Sequence, residues 1–399
     1  MKTLFRRAIV ALGWLAALWM GAAGAGEVQN TPIRYRVADG AGKTFEASFP
    51  YLRLADPLAS ARVNALLHHL ALQTLAPAAA PVPGAAPLDL SAREATAGLN
   101  SIKAQDIDLL NGARVLRVPL VREGCGAYCA SGTETLAFDA RSGRLLALPE
   151  LVTPAGLTSL ARQAAQAHQA TLKRTLAQLE KSLGAAKPGS QAETVAQARI
   201  DMYERCLQER FSSGGTLASL YLDEPGSFFI REGGLSFEQG PCSVHANQAL
   251  DELGALVYAP SAETLRPHLT AYGRALVLGE EGSEGGQPPA PLNPYAQLFK
   301  GKINGRLPVT LFLGASRAVT PGQMKPFSEA LYYYDKYRQP IALTVVRQGD
   351  SFILTESAPA GAPAAQQAPA QLVFRLEGRV LKGQWRSAGK TYAFEAMAL

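Results

Sequence analysis

The sequence predicts an α+β fold, an antiparallel sheet with helices on one face, followed by a small all-β barrel-like domain. Three observations predict it. Residues 33–37 and 133–138 alternate apolar and polar and sit beside hairpin turns. Residues 57–75 and 154–183 carry apolar side chains at helical spacing. Beyond residue 294 the helical period disappears, and eight short β runs follow within about 105 residues.

Taken in order, the chain opens with a secretory signal. Lys2, Arg6 and Arg7 form a positive region, residues 8–20 an apolar one, and Ala23-Gly24-Ala25 the small-x-small cleavage pattern. The expected organisation is a signal peptide over 1–25, an α+β domain over 26–278, a linker over 279–294 and a barrel-like domain over 295–399. Loss of the three basic residues lowers the formal charge from +6 to about +3, too little to argue for nucleic acid. Later apolar runs are too short to span a bilayer. A periplasmic or secreted location follows as the expectation.

Ile33, Tyr35 and Val37 begin a first hairpin, with Asp39-Gly40 at its turn and residues 44–49 returning. Pro50 ends that strand. A helix follows over 57–75, on which the neighbours His68 and His69 point about 100° apart and cannot chelate one metal together; surface positions are expected for both. Residues 76–87 form a Pro/Ala loop. Asn111-Gly112 marks a turn within residues 109–122. Next come Cys125 and Cys129, an alternating run over 133–138, a turn at Asp139 to Gly143, and a return over 144–148. Thr153-Pro154 is an N-cap with proline at the first helical position. Leu157, Leu160, Ala164, Ala167, Leu172, Leu176 and Leu179 stripe the helix it opens. A second helix over 192–208 carries Cys206. Strands are expected over 217–229, through Gly233-Gly234 to Phe237, and over 255–259, then a short helix over 261–269. In the last domain the expected strands are 298–303, 308–313, 330–334, 341–346, 351–356, 371–376, 379–385 and 392–396, with a Pro/Ala insert over 358–369.

The four cysteines, 125, 129, 206 and 242, read as disulfides in an exported chain. Three pairings are open, and Cys125–Cys129 with Cys206–Cys242 is favoured. The spacing lacks paired C-x-x-C knuckles, so no metal and no cofactor are expected. Cys125-x-x-x-Cys129 is one residue longer than the usual redox motif and lies in a β turn, which favours a staple over a redox centre. The G-x-S-x-G serine-hydrolase elbow and the zinc-protease and phosphate-loop motifs are absent from the sequence. Glu134, Asp139, Asp223 and Glu224 are the clustered carboxylates that a glycan hydrolase would have to use. Tyr332 and Tyr334 share one face of a strand and Tyr333 takes the other, and this run, with Lys336, Tyr337 and Arg338, is a candidate grip for a sugar or peptide.

Over residues 31–278 the chain resembles the extracytoplasmic domain family of RsiV-type anti-sigma factors, which also occurs fused to peptidoglycan deacetylases. The resemblance rests on Phe49-Pro50-Tyr51-Leu52 followed by Val63-Asn64-Ala65-Leu66, on Phe138-Asp139 through Gly143 to Leu148, and on Phe229-Ile230 through Gly234-Leu235-Ser236-Phe237 to Ala255-Leu256-Val257-Tyr258. Where that family carries a Gly-Gly-Ala-His turn, this chain has Gly124-Cys125-Gly126-Ala127-Tyr128-Cys129, without the histidine. The resemblance implies binding rather than catalysis, one branch of the family binding lysozyme. It carries no anti-sigma segment, so signalling of that kind is not expected. The reading is a non-enzymatic binding protein of the cell envelope, whose partner is an envelope protein or cell-wall glycan. Tyr128, Tyr332 and Tyr334 are its candidate contacts. The alternatives are a hydrolase of envelope glycans or peptides, and a structural envelope subunit.

Overall fold

The computed structural model describes residues 28–38, 43–82, 84–91, 94–125, 129–211, 228–280, 287–291, 297–314, 329–357 and 369–399. The expected signal and its cleavage site, Tyr128, Asp223, Glu224, most of the 217–229 strand and most of the second Pro/Ala insert lie outside them.

The first hairpin forms as expected. β1 (Gln29–Ala38) and β2 (Thr44–Arg53) pair antiparallel over their whole length, with Ile33, Tyr35 and Val37 buried on one face. Helix α1 (Pro57–Leu72) starts at Asp56, whose carboxylate accepts from the backbone N–H groups of Leu58 and Ala59. Such a cap holds two donors that the first turn leaves unpaired. β3 (Leu88–Ser91), β4 (Leu99–Ala104), β5 (Asp108–Leu110), β6 (Val115–Cys125) and β7 (Cys129–Asp139) complete a seven-stranded sheet. β3 lies parallel to β1 and β4 parallel to β2, two pairings within an otherwise antiparallel sheet. β7 runs along β6 from Val115↔Asp139 to Cys125↔Cys129. Leu116, Val118 and Leu120 of β6, Leu136 and Phe138 of β7, and Val63, Leu67 and Ala71 of α1 close one core between sheet and helix.

The expected return strand over 144–148 is reduced to one bridge, Phe138↔Leu145, because the chain turns at once into α2 (Leu148–Leu151). α3 (Pro154–Ala185) and α4 (Gln191–Phe211) pack through Leu172, Leu176, Leu179, Ile200 and Tyr203. β8 (Phe228–Arg231), β9 (Gly234–Gln239) and β10 (Leu256–Tyr258) make a small second sheet. α5 (Ala262–Leu265) and α6 (Ala271–Val277) follow, and Leu265, Tyr272 and Leu276 join a core with Leu148, Leu151, Leu160 and Phe237.

β11 (Leu298–Ile303), β12 (Leu307–Gly314), β13 (Glu329–Tyr334), β14 (Pro340–Gln348), β15 (Ser351–Glu356), β16 (Gln371–Glu377), β17 (Val380–Ser387) and β18 (Lys390–Ala398) form a closed antiparallel barrel. Alternate residues point inward, and Phe299, Leu311, Phe352, Phe374 and Phe394 fill the centre. Closure leaves no free edge.

The barrel rests on α1, and here the surface expectation for the two histidines fails. His68 and His69 are both buried. Their divergence around the helix sends one to each side. His68 meets Tyr35 and Phe49 edge-on, with ring centroids 5.9 and 5.5 Å away. Its Nδ1 donates to the Asn64 carbonyl at 2.9 Å. His69 faces the barrel, with its ring 3.9 Å from that of Phe312 and its Nδ1 2.7 Å from the Tyr333 hydroxyl. Hydrophobic spacing marks one face of a helix and is silent about a second face that another part of the chain covers. Leu58, counted with the apolar stripe, is 53% exposed.

Two predictions follow from this packing. Gly143 has φ +69°, and a Cβ there would lie 2.4 Å from the Ala59 carbonyl oxygen of α1. Gly143→Ala is therefore expected to cost about 2–4 kcal/mol in chemical denaturation, combining left-handed strain with overpacking. Burial lowers the pKa of His68 and of His69 to about 4. Each stays neutral when folded while the unfolded chain takes up a proton below about 6.5. Their share of stability is thus intact above that pH and drains as pH falls towards 4, by up to about 3 kcal/mol per histidine. The urea midpoint of the native chain should fall more steeply over this window than that of His69→Gln, and parallel curves would contradict the assignment.

Candidate functional site

Both favoured disulfides are present. Cys125–Cys129 closes the open end of the β6–β7 hairpin, with Cα atoms 3.9 Å apart. Cys206–Cys242 ties α4 to the loop after β9, with Cα atoms 5.5 Å apart. Residues 129–133 of β7 are all exposed, and β7 pairs with no described strand other than β6. Beside this border, Cys129, Ala130 and Ser131 face Pro241, Ser243, Val244 and Gln248 across a cavity of about 310 Å³. Val244 is 68% exposed. Each wall of the groove is anchored by its own disulfide. The Asp251 carboxylate accepts from Ser243 N at 2.9 Å and Gly254 N at 3.0 Å, fixing the loop's return.

The Glu123 carboxylate and the sulfurs of Cys125 and Cys129 come within 4.8 Å of one another. Bonded to each other, the sulfurs offer no thiolate, the form that binds metals.

The carboxylates named as hydrolase candidates do other work. Glu134 pairs with Arg122 at 3.0 Å. Asp139 is buried in the hairpin corner, where it accepts from Arg141 N at 2.9 Å, from the Ser142 hydroxyl at 2.7 Å and from the Tyr272 hydroxyl at 2.9 Å. Burial, with Asp139 as an added cause, raises the Tyr272 pKa, so its phenol stays a donor. Glu150, also buried, pairs with Arg144, and desolvation raises its pKa. Asp139, with both oxygens engaged at a structural corner, is a poor general base.

Tyr332 and Tyr334 share a face as the strand period requires, and that face is the inside of the barrel. Tyr332 is 1% exposed, so it is a core residue rather than a surface grip. A hydroxyl has one proton and the Glu356 carboxylate can only accept. Tyr332 therefore donates to Glu356, and its oxygen lies 3.2 Å from the Tyr334 hydroxyl. On the same barrel end Trp385 stacks on Tyr392, with centroids 5.8 Å apart. Tyr333 points outward to His69, as the alternation predicted.

A second cavity, of about 280 Å³, opens where the barrel meets the sheet, and sequence reading missed it. Its walls include Arg36 and Ala38 of β1, Asp89 and Ser91 of β3, and Tyr337, Arg338 and Gln339 from the turn after β13. The signals were the run around Tyr337 and the Arg36 alternation, but nothing local joins them. Arg338 adopts φ +57° and its Nε donates to the Leu75 carbonyl at 2.8 Å. Thr74 Oγ1 in turn donates to the Arg338 carbonyl at 3.1 Å.

These features define an α+β protein with an appended eight-stranded barrel and two grooves, without an assembled catalytic group among the described residues. No helix among them is long and apolar enough to cross a membrane. No protein-family model matches the chain, and no curated protein matches its sequence. Among solved structures it is similar to a DUF3298 family member from Bacteroides fragilis, at TM-score 0.33 and 12% identity over 62% of this chain and 94% of that one. It is also similar to a DUF3298 family protein from Pseudomonas aeruginosa PAO1, at TM-score 0.33 and 11% identity over 61% and 94% of the two chains.

The disulfides give a graded prediction. Replacing Cys206 and Cys242 by alanine reopens a loop whose ends are 36 residues apart, and the stability loss should be about 4 kcal/mol. The same change at Cys125 and Cys129, four residues apart, should cost about 2 kcal/mol. Urea denaturation of the two double variants checks the order.

Proposed function

We propose that this is a non-catalytic binding protein of the cell envelope, exported by a leader cleaved near Ala25, that docks a protein partner at the stapled end of the β6–β7 hairpin. We propose also that residues 26–278 and 295–399 are its two domains. One observation supports the reading: the groove between residues 129–131 and 241–248 has a disulfide at each wall, beside a strand border with no described partner and an exposed Val244. An extended segment can add to such a border through its backbone while the groove takes its side chains. Two disulfides suit an oxidising compartment. Tyr128, within the same staple, is the contact proposed on the partner. The resemblance to RsiV-type domains makes a lysozyme the first partner to test.

The test is binding of purified lysozyme by the intact mature chain, with inhibition of wall lysis measured in parallel. Val244→Asp, at an exposed position, is expected to weaken binding at least about tenfold without lowering stability, since a charge would replace the exposed apolar side chain of the groove. Absence of both binding and inhibition by the native chain would remove lysozyme as the partner.

A further inference from the structure

The groove at the junction of barrel and sheet has a different chemistry from the hairpin end. Tyr337 is 65% exposed. Its backbone N–H is tied to the Tyr334 carbonyl at 2.9 Å, so the ring stands on a fixed turn. A phenol ring held in water is an apolar platform with a polar tip, and here Lys336 Nζ lies over it, 5.4 Å from the ring centroid, which places a further positive charge beside the groove. The same groove is lined by three planar hydrogen-bonding groups, the Arg36 guanidinium, the Asp89 carboxylate and the Gln339 amide, and by Ser91. Arg36 and Asp89 are 3.6 Å apart, with 53% and 82% of their side chains exposed. At that exposure the pair holds together weakly and opens readily to a third group. Arg338 adds a second positive charge, its guanidinium fixed by the Leu75 carbonyl and, at 3.4 Å, by the Tyr35 hydroxyl. Burial raises the Tyr35 pKa to about 12, so that phenol remains neutral. The lining therefore carries two guanidinium groups against one carboxylate.

We propose that this groove binds a sugar ring that carries a carboxylate, the ring lying on Tyr337, its hydroxyls on Asp89 and Gln339, and its carboxylate on Arg36. A pyranose offers one apolar face and a rim of hydroxyls, which matches a single exposed ring surrounded by planar polar groups. The Asp89 carboxylate would repel a phosphate or sulfate oxygen placed against it, whereas a sugar hydroxyl can donate to it. Arg36 and Arg338 leave a net positive charge, which favours an acidic sugar over a neutral one. Two sources share this chemistry: the lactyl-ether amino sugar of cell-wall glycan and uronic acids of other polysaccharides. The site stands apart from the hairpin end, so a failed lysozyme test leaves it untouched.

Calorimetry on the intact mature chain tests it with three disaccharides: one containing muramic acid, one containing glucuronic acid and one of N-acetylglucosamine alone. Either acidic sugar, or both, should bind more tightly than the neutral one, and the pattern identifies the source. Tyr337→Ala should weaken acidic-sugar binding at least about tenfold, and its exposed position leaves the fold intact. Arg36→Ala should weaken the acidic sugars while sparing the neutral one. Binding of none of the three, equal binding of neutral and acidic sugars, or a Tyr337→Ala variant that binds as well as the native chain would each overturn the proposal.

Discussion

Helix α1 is buried on two sides, and that constraint governs the rest of the molecule. A helix covered by a sheet on one flank and a barrel on the other is held best where its buried polar groups satisfy themselves on neighbouring backbone. Asn64 does so with both ends of its amide, accepting from Leu52 N at 2.8 Å and donating to Leu52 O at 2.7 Å. Ser60 accepts from Leu54 N at 2.8 Å. These contacts lock the helix to the end of β2. Once it is locked, the direction of His69 is settled, and with it the seat on which Phe312 and Tyr333 of the barrel rest.

The same helix carries the hairpin corner. Gly143 touches the Ala59 backbone, Arg62 donates to the Ser142 carbonyl, and Asp139 gathers the turn's donors and the Tyr272 hydroxyl. The sheet, the barrel and the α6 region thus meet around one element. Both grooves lie at the margins of this arrangement, one where β7 runs out beyond α1 and one where the barrel turn overhangs the sheet. The junction groove has the core residue Tyr35 in its lining, while its Arg36, Asp89 and Tyr337 are exposed.

The barrel was nearly all legible in the sequence. Its strands are joined by turns such as Asn304-Gly305 and Gln348-Gly349, and their pairing is with neighbours in the chain, so alternation and turn chemistry suffice. The split of Tyr332 and Tyr334 from Tyr333 followed from the strand period alone, and both disulfides from cysteine spacing and local setting. What lay beyond reach was non-local. β3 and β4 are short and pair in parallel with β1 and β2, so no turn announces them. The burial of His69 depends on a barrel more than two hundred residues away in the chain. Tyr332 looked like a surface aromatic because alternation tells that two faces differ but not which is inside. The junction groove joins β1, β3 and the turn after β13, and composition at any one of them is unremarkable.

Trp385 at the barrel end gives the molecule a built-in division of spectroscopic labour. The other two tryptophans, Trp14 and Trp19, lie in the expected leader. In a chain prepared without residues 1–25, Trp385 of the barrel is the single source of indole emission. The described α-helices all precede residue 278, so the helical circular dichroism of the described residues comes from the α+β part. The two signals watch opposite sides of the contact between α1 and the barrel. Their coincidence or separation during unfolding measures how strongly His69, Phe312 and Tyr333 make the two parts one cooperative unit.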